Sequence, residues 1–150
     1  MITDAHAHIL GHACEEVAPA EYPDAHFPVE RLLELMDREG VDRAVLVQNP
    51  VIGTINEDVR DAVERRPDRF AGVIQVDPLS PEAPAVLRRF ASERQCAVKL
   101  EMSQGWGWSG IHPGIRLDGA ELDALWQATG YDYDSNGRLT GIRYGVTPET

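Results

Sequence analysis

The sequence has few cysteines, few basic residues and no long apolar run, and each scarcity excludes a class of protein. Its two cysteines, Cys14 and Cys96, form no CxxC pair and no disulfide framework, so free thiols are the default interpretation. Lysine and arginine number 14 against 25 acidic residues, and the net charge of −11 disfavours nucleic acid as a partner. No run approaches the roughly 18 apolar residues of a membrane span, and the N-terminus lacks the basic segment of a signal peptide. These absences favour a cytoplasmic protein whose partner is a small molecule.

Strand-like and helix-like patterns alternate over the first 127 residues. Strands are predicted over Ile2–Ile9, Arg43–Gln48, Phe70–Val76 and Ala97–Met102, and helices over Pro28–Glu39, Asn56–Arg66, Pro81–Arg94 and Asp118–Gln127. Gly40 is the expected C-cap of the first helix. This alternation predicts an α/β fold with a parallel sheet, a partial TIM (β/α)8 barrel of about four βα units. A doubly wound open sheet is the alternative. The chain of 150 residues is short for a complete barrel, which needs about 250 residues.

Residues 128–150 have a different character. The stretches YDYD and RLTGIRY flank Ser135, Asn136 and Gly137, and Asn-Gly is a strong hairpin signal. We therefore divide the chain into a half barrel over residues 1–127 and a divergent, hairpin-like tail over 128–150. The segment YDYDSNGRLTGIRYG resembles one YD repeat of the Rhs type. The expectation is a truncated or spliced reading frame, with a divergent natural terminus as the alternative.

The segment DAHAH carries the sharpest chemical signal. In a strand, alternate residues share a face, so Asp4, His6 and His8 point one way and the intervening alanines point the other. Three polar side chains buried in one row are costly unless each has a partner. A divalent cation bound by His6 and His8 supplies that partner, and zinc suits imidazole ligands, with Mn²⁺ or Fe²⁺ as substitutes. The alternative is a hydrogen-bonded polar core. Asp4 either binds the metal itself or orients one of the metal ligands from behind.

Four segments resemble the amidohydrolase superfamily, and its amidohydrolase-related (family 2) group in particular. They are DAHAHI, FPVERLLELMDREGVDRAVLVQ, NEDVRDAVERRPDRFAGVIQVDP and AVKLEMSQGWGWSGIHPGIRLDGAELDALW, together covering about Met1–Gln127. The resemblance implies a distorted barrel with one or two metals, and hydrolysis of amide, lactone or related bonds, or decarboxylation in some members. It implies that His6 and His8 are first-strand metal ligands. The family's other ligands and its catalytic aspartate come from strands five, six and eight, which no part of this sequence matches.

Further polar and aromatic residues lie at the carboxyl ends of predicted strands, where barrel enzymes place their active sites. Gln48, Gln75 and Asp77 close the second and third strands. Lys99 and Glu101 share a face of the fourth. Lys99 is a carboxylated bridging ligand, as in some superfamily members, a charge that faces the pocket, or a partner for Glu101. Trp106, Trp108 and His112 occupy the loop that follows. They either line a substrate pocket, where His112 would contact an anionic group, or cover the rim of the barrel.

These features lead to a metal-dependent hydrolase as the first functional hypothesis. Since a catalytic zinc normally has three protein ligands and only two are recognised here, weak metal binding and little turnover are expected. The alternatives are a decarboxylase of the same family and a non-catalytic half barrel that forms a homodimer through its open edges. A piece of a surface-repeat protein would require more YD-like hairpins than the one in the tail.

Overall fold

The computed structural model describes most of the predicted half barrel and both strands of the tail. The described residues are 1–11, 26–48, 56–90, 95–101, 103, 107–116, 119–123, 125, 129–133 and 139–144, with the backbone alone described at 95, 96, 121, 129–133 and 139–144. Cys14 lies outside these ranges and Cys96 is described only in its backbone, so the interpretation as free thiols stays a prediction.

Four parallel strands form one sheet. They are β1 (Thr3–Ala7), β2 (Arg43–Val47), β3 (Phe70–Gln75) and β4 (Gln95–Lys99). The spatial order is β1-β2-β3-β4, and every neighbouring pair is parallel. This sequential order is that of a barrel wall, because a doubly wound sheet reverses its order at a switch point.

Three helices of eight or more residues connect these strands. They are α1 (Val29–Glu39), α2 (Asn56–Arg65) and α3 (Ala83–Phe90). Gly40 caps α1 as predicted: it has a φ of 69°, and its N–H donates to the carbonyl of Met36. Within the described residues, no helix has the length and apolar character that crossing a bilayer requires.

One face of the sheet packs against all three of these helices. Ala7, Ala44, Leu46 and Phe70 are buried in a cluster with side chains of α1 and α2. Ile74 and Val76 continue the same face of β3 into a second cluster with α3. Alternate residues of the strands therefore face the helices, and the residues between them face the opposite side, which is the interior side of a barrel. Together with the sequential strand order, this one-sided cover gives a partial barrel; the doubly wound alternative is wrong.

The third and fourth βα units differ from their predicted bounds. Strand β4 begins at Gln95 and ends at Lys99, so Glu101 lies just beyond the strand. Helix α3 begins at Ala83, because residues 77–82 form turns in which Asp77 and Ser80 side chains accept backbone N–H groups. The predicted loop after β4 contains a short helix, α4 (Trp108–Ile111). A 3-10 turn, Ala120–Leu122, follows, and the proposed cap Asp118 lies outside the described residues.

The tail forms a separate two-stranded sheet. Strand β5 (Thr129–Tyr133) pairs antiparallel with β6 (Leu139–Tyr144), as the hairpin pattern predicted. The predicted turn at Ser135–Gly137 falls in 134–138, outside the described residues. The division of the chain at residue 127 stays a prediction.

Candidate metal centre

The rings of His6 and His8 meet on the side of the sheet away from the helices. Their Nε2 atoms are 3.3 Å apart and their ring centroids are 4.9 Å apart, with the planes nearly perpendicular. Ala7, which lies between them in sequence, points into the helix-packed core. The alternation along β1 therefore places both imidazoles on the interior face, as the sequence predicted.

The main chain of β2 orients His8. Its Nδ1 lies 2.7 Å from the carbonyl oxygen of Val47, and a carbonyl can only accept, so Nδ1 carries the proton. Nε2 of His8 is then left with a lone pair directed at His6. A backbone carbonyl behind an imidazole is a common arrangement for metal-binding histidines, since it fixes the tautomer and the ring orientation.

The spacing of the two nitrogens fits a tetrahedral metal. With metal–nitrogen bonds of about 2.0–2.1 Å, nitrogens separated by 3.3 Å subtend roughly 104–111° at the metal, a range that includes the tetrahedral angle. The donor set of two imidazoles suits zinc, and Mn²⁺ or Fe²⁺ could be held by the same nitrogens. His6 and His8 therefore fit the group that the family resemblance implies.

The centre is more open than the sequence argument assumed. Asp4 and His6 are exposed and His8 is half-buried, so the expected buried row of three polar groups is wrong. The reason is that β1 is an edge strand of the described sheet. The Asp4 carboxylate accepts a hydrogen bond of 3.0 Å from the backbone N–H of His6, and it thus acts on the strand rather than on a ring. Among the described residues, no third His, Cys, Asp or Glu completes a metal-binding group.

Lys99 and Glu101 lie at the carboxyl end of β4 and form a pair. The Lys99 ammonium is 3.5 Å from the Glu101 carboxylate, which also accepts a backbone N–H from Ser103. The Ser103 N–H and, to a lesser extent, Lys99 hold the pKa of Glu101 below its usual value. An ionised carboxylate and an ammonium ion therefore lie at the same end of the sheet, and Lys99 is paired with Glu101, which is one of the three interpretations drawn from the sequence.

His112 and Trp108 come together with Asp77, a contact that sequence reasoning did not find. His112 Nε2 lies 3.2 and 3.4 Å from the two carboxylate oxygens of Asp77, and its ring stacks on that of Trp108 with centroids 6.0 Å apart. Trp108 is buried, with 8% of its surface exposed. Asp77 lies two residues after the end of β3, so a polar residue near a strand end was the available signal. Trp106 lies outside the described residues.

Gln75 and Asn56 form a second contact that the sequence did not reveal. The Asn56 amide donates to the Gln75 carbonyl over 2.8 Å and accepts its backbone N–H over 2.9 Å. Both residues are buried, with 2% and 1% of their surfaces exposed. The start of α2 is thereby tied to the end of β3, next to the candidate site.

Comparisons with known proteins bear on the family and the fold of this chain. A sequence model of the family described as "Amidohydrolase" matches residues 3–130. The 4-sulfomuconolactone hydrolase of Rhizobium radiobacter is 38% identical over 76 residues, which are 48% of this chain and 25% of that protein. The crystal structure of a probable 2-pyrone-4,6-dicarboxylic acid hydrolase from Acinetobacter baumannii, with citric acid bound, superposes with a TM-score of 0.54 at 23% identity, covering 73% of this chain and 43% of that one.

These matches differ in what they establish. At 23% identity the crystal structure shows a shared fold and no more. This chain spans about a quarter of the curated relative's length and less than half of the length of the structural neighbour. The family match is different in kind, because it extends from the first strand of the sheet to the start of β5 and includes the paired histidines. The chain therefore belongs to the amidohydrolase family.

Proposed function

We propose that this chain supplies the first-strand ligands of a metal-dependent hydrolase that opens cyclic esters bearing acidic groups. The observation that carries the proposal is the convergence of His6 Nε2 and His8 Nε2 at 3.3 Å, with His8 held from behind by Val47. In the metal-free chain this contact is a hydrogen bond from His6 Nε2–H to the lone pair of His8 Nε2, and a metal would take the place of the shared proton.

The ligand set suggests what the metal would contribute. A divalent cation, zinc by preference, would lower the pKa of a bound water and polarise an ester carbonyl when held by His6 and His8. The chain itself would bind the metal and orient its ligands. The Val47 carbonyl fixes the His8 ring, and the Asp4 carboxylate accepts a hydrogen bond from the backbone N–H of His6. The ionised Glu101 and its partner Lys99 lie at the same end of the sheet, where they are placed to bind polar groups of a substrate.

The substrate class is inferred from the relatives' names. One relative is called a sulfomuconolactone hydrolase and the other a probable pyrone dicarboxylic acid hydrolase. Both names denote ring esters with sulfonate or carboxylate substituents. They support hydrolysis of a lactone, whereas decarboxylation has no support of this kind and stays a prediction.

We expect this chain alone to bind metal weakly and to turn over little substrate. Catalytic zinc normally has three protein ligands, and the described residues bring two together. The chain holds a half-site whose further ligands, by family resemblance, belong to later strands.

The first test is a metal titration with matched histidine variants. Apo protein is titrated with Zn²⁺ or Co²⁺ by calorimetry, and cobalt coordination is followed by visible absorption. The expected result is one weak site, whose affinity falls at least about tenfold in His6→Ala and in His8→Ala, because each variant removes one of two ligands. Exposed His26 provides the control, since His26→Ala should leave the titration unchanged.

Turnover is measured on 2-pyrone-4,6-dicarboxylate by loss of ring absorption. Slow, zinc-dependent hydrolysis that disappears in His6→Ala would support the proposal. Unaltered metal affinity in a His6→Ala, His8→Ala double variant would refute the half-site, and so would hydrolysis that persists in that variant.

A further inference from the structure

We propose that Lys99 binds an acidic substituent of the substrate, and that Glu101 limits the strength of this binding by competing for the same ammonium group. The proposal rests on the proposed function for its ligand class, an anionic ring ester. It assigns specificity for the acidic group to a residue of the fourth strand, separate from the metal ligands of the first.

Lys99 has an unusual place among the basic residues of the chain. The sequence contains 14 lysine and arginine residues, and Lys99 is the only lysine among them. It is the last residue of β4, at the carboxyl end of the sheet, where barrel enzymes bind their substrates. The other basic residue in the four described strands, Arg43, is the first residue of β2 and lies at the opposite end. The carboxyl ends of these strands therefore carry one permanent cation.

The packing of β4 directs Lys99 to the interior face of the sheet. Its neighbours in sequence, Val98 and Leu100, pack against the cluster that contains the side chains of α3. Because alternate residues of a strand face opposite sides, the Lys99 side chain lies on the face that also carries the two histidines. The side chains of Lys99 and Glu101 are 18% and 31% exposed, so the pair is open to solvent and to a ligand.

The contact with Glu101 leaves Lys99 available to a second anion. The ammonium and the carboxylate are 3.5 Å apart, which is longer than the roughly 2.7–2.9 Å of a charge-assisted hydrogen bond. An ammonium group has three N–H donors, and this loose contact engages no more than one of them. Glu101 also accepts the backbone N–H of Ser103, which holds the pKa of Glu101 below its usual value. The carboxylate therefore keeps a partner when the ammonium bonds to another anion.

The charges of the pair give Lys99 and Glu101 opposite effects on an acidic ligand. The ammonium attracts a carboxylate or sulfonate, and the neighbouring carboxylate repels it. The chain as a whole carries −11, so most of its surface repels an anion as well. Removal of Lys99 should therefore weaken the binding of an anion, whereas removal of the Glu101 charge should strengthen it. An ion pair with a purely structural role would not produce this opposition.

The position of Lys99 suits a ligand that also reaches the histidines. Strands β1 and β4 are three strands apart, roughly 14 Å across the sheet at about 4.8 Å per strand. His8 contacts Val47 on β2, and the strand register aligns Val47 with Ala97 on β4. Lys99 lies two residues beyond Ala97, about 7 Å nearer the carboxyl end. Interior side chains of a barrel wall point towards one axis, so an acidic group at Lys99 leaves the ring of the ester on the side of the histidines.

The test uses the single lysine as the reporter. Protein labelled with ¹³Cε-lysine gives one side-chain signal, which belongs to Lys99, and metal is removed over a chelating resin so that no soluble chelator competes. The probes are 2-pyrone-4,6-dicarboxylate and its neutral parent, 2-pyrone. The lysine signal should shift with the dicarboxylate and stay in place with 2-pyrone. Calorimetry should show dicarboxylate binding about tenfold weaker in Lys99→Gln and about threefold tighter in Glu101→Gln.

The controls separate this role of Lys99 from the metal centre. Arg38→Gln also removes one positive charge, but Arg38 lies in the last turn of α1, near the amino end of β2, so dicarboxylate binding should not change. His6→Ala should retain the lysine shift because no metal is present. A stationary lysine signal, an equal response to 2-pyrone, unchanged binding in Lys99→Gln or weaker binding in Glu101→Gln would overturn the proposal without touching the metal centre. A normal lysine shift together with a failed zinc titration would overturn the metal centre alone.

Discussion

At the scale of single residues, the two candidate ligands differ in how they are held. His8 is half-buried and its Nδ1 bonds to the Val47 carbonyl, whereas His6 is exposed and only its backbone N–H is tied to Asp4. A metal would therefore meet one ring that is already oriented and one that must be ordered on binding. Ordering a side chain costs conformational entropy, and this cost adds to the weak affinity expected of a half-site.

The tautomer of His8 can be tested directly. In metal-free protein the neutral His8 ring should carry its proton on Nδ1, because that atom faces the Val47 carbonyl, which can only accept. Long-range ¹H–¹⁵N spectra distinguish the two ring nitrogens, and His8→Ala identifies the signals. Added Zn²⁺ should then shift Nε2 more than Nδ1. A protonated Nε2 in the metal-free state would contradict the arrangement.

At the scale of elements, the Asn56–Gln75 contact fixes α2 to β3. One buried amide side chain satisfies both the N–H and the carbonyl of Gln75, the last residue of the strand. Backbone groups that are buried without partners are rare in folded proteins, so this contact replaces the sheet hydrogen bonds that end with the strand.

Removing this contact should destabilise the chain measurably. Asn56→Ala leaves two buried backbone groups without a partner, and we expect the free energy of unfolding to fall by about 2–4 kcal/mol. Urea unfolding followed by circular dichroism provides the measurement. Glu64→Ala, an exposed position on the same helix, is the control and should change stability by no more than about 0.5 kcal/mol. A loss of similar size in both variants would show that Asn56 has no special part in stability.

Local sequence patterns predicted the strands and helices. They did not predict the contacts between residues that lie far apart in the sequence. The alternation in DAHAH predicted the shared face of His6 and His8, and helical spacing followed by Gly40 predicted α1 and its end. The contact of His8 with the Val47 carbonyl could not be predicted from residue types, since every residue has a backbone carbonyl. The pairs of Asn56 with Gln75 and Asp77 with His112 span 19 and 35 positions, and depend on strand register and on a helix within a predicted loop.

At the scale of the whole molecule, the exposure of β1 follows from its place in the sheet. A buried row of polar groups on β1 would require neighbouring strands on both sides, as in a closed barrel. Among the described strands, β1 pairs with β2 alone and β4 with β3 alone, so both are edges. Parallel edge strands present unpaired N–H and C=O groups that can pair with another chain.

We propose that two copies of this chain close a barrel by pairing β4 of each with β1 of the other, around a twofold axis. Closure would bring the end of β4, with Lys99 and Glu101, beside the histidines of the second copy. Sedimentation velocity should then show the 16.6 kDa monomer and a dimer of twice that mass, with a dimer fraction that rises with protein concentration. Because each copy carries −11, added salt should screen the repulsion and raise the dimer fraction. A monomer at every concentration and salt, or a broad range of aggregates, would show that these edges do not close a barrel.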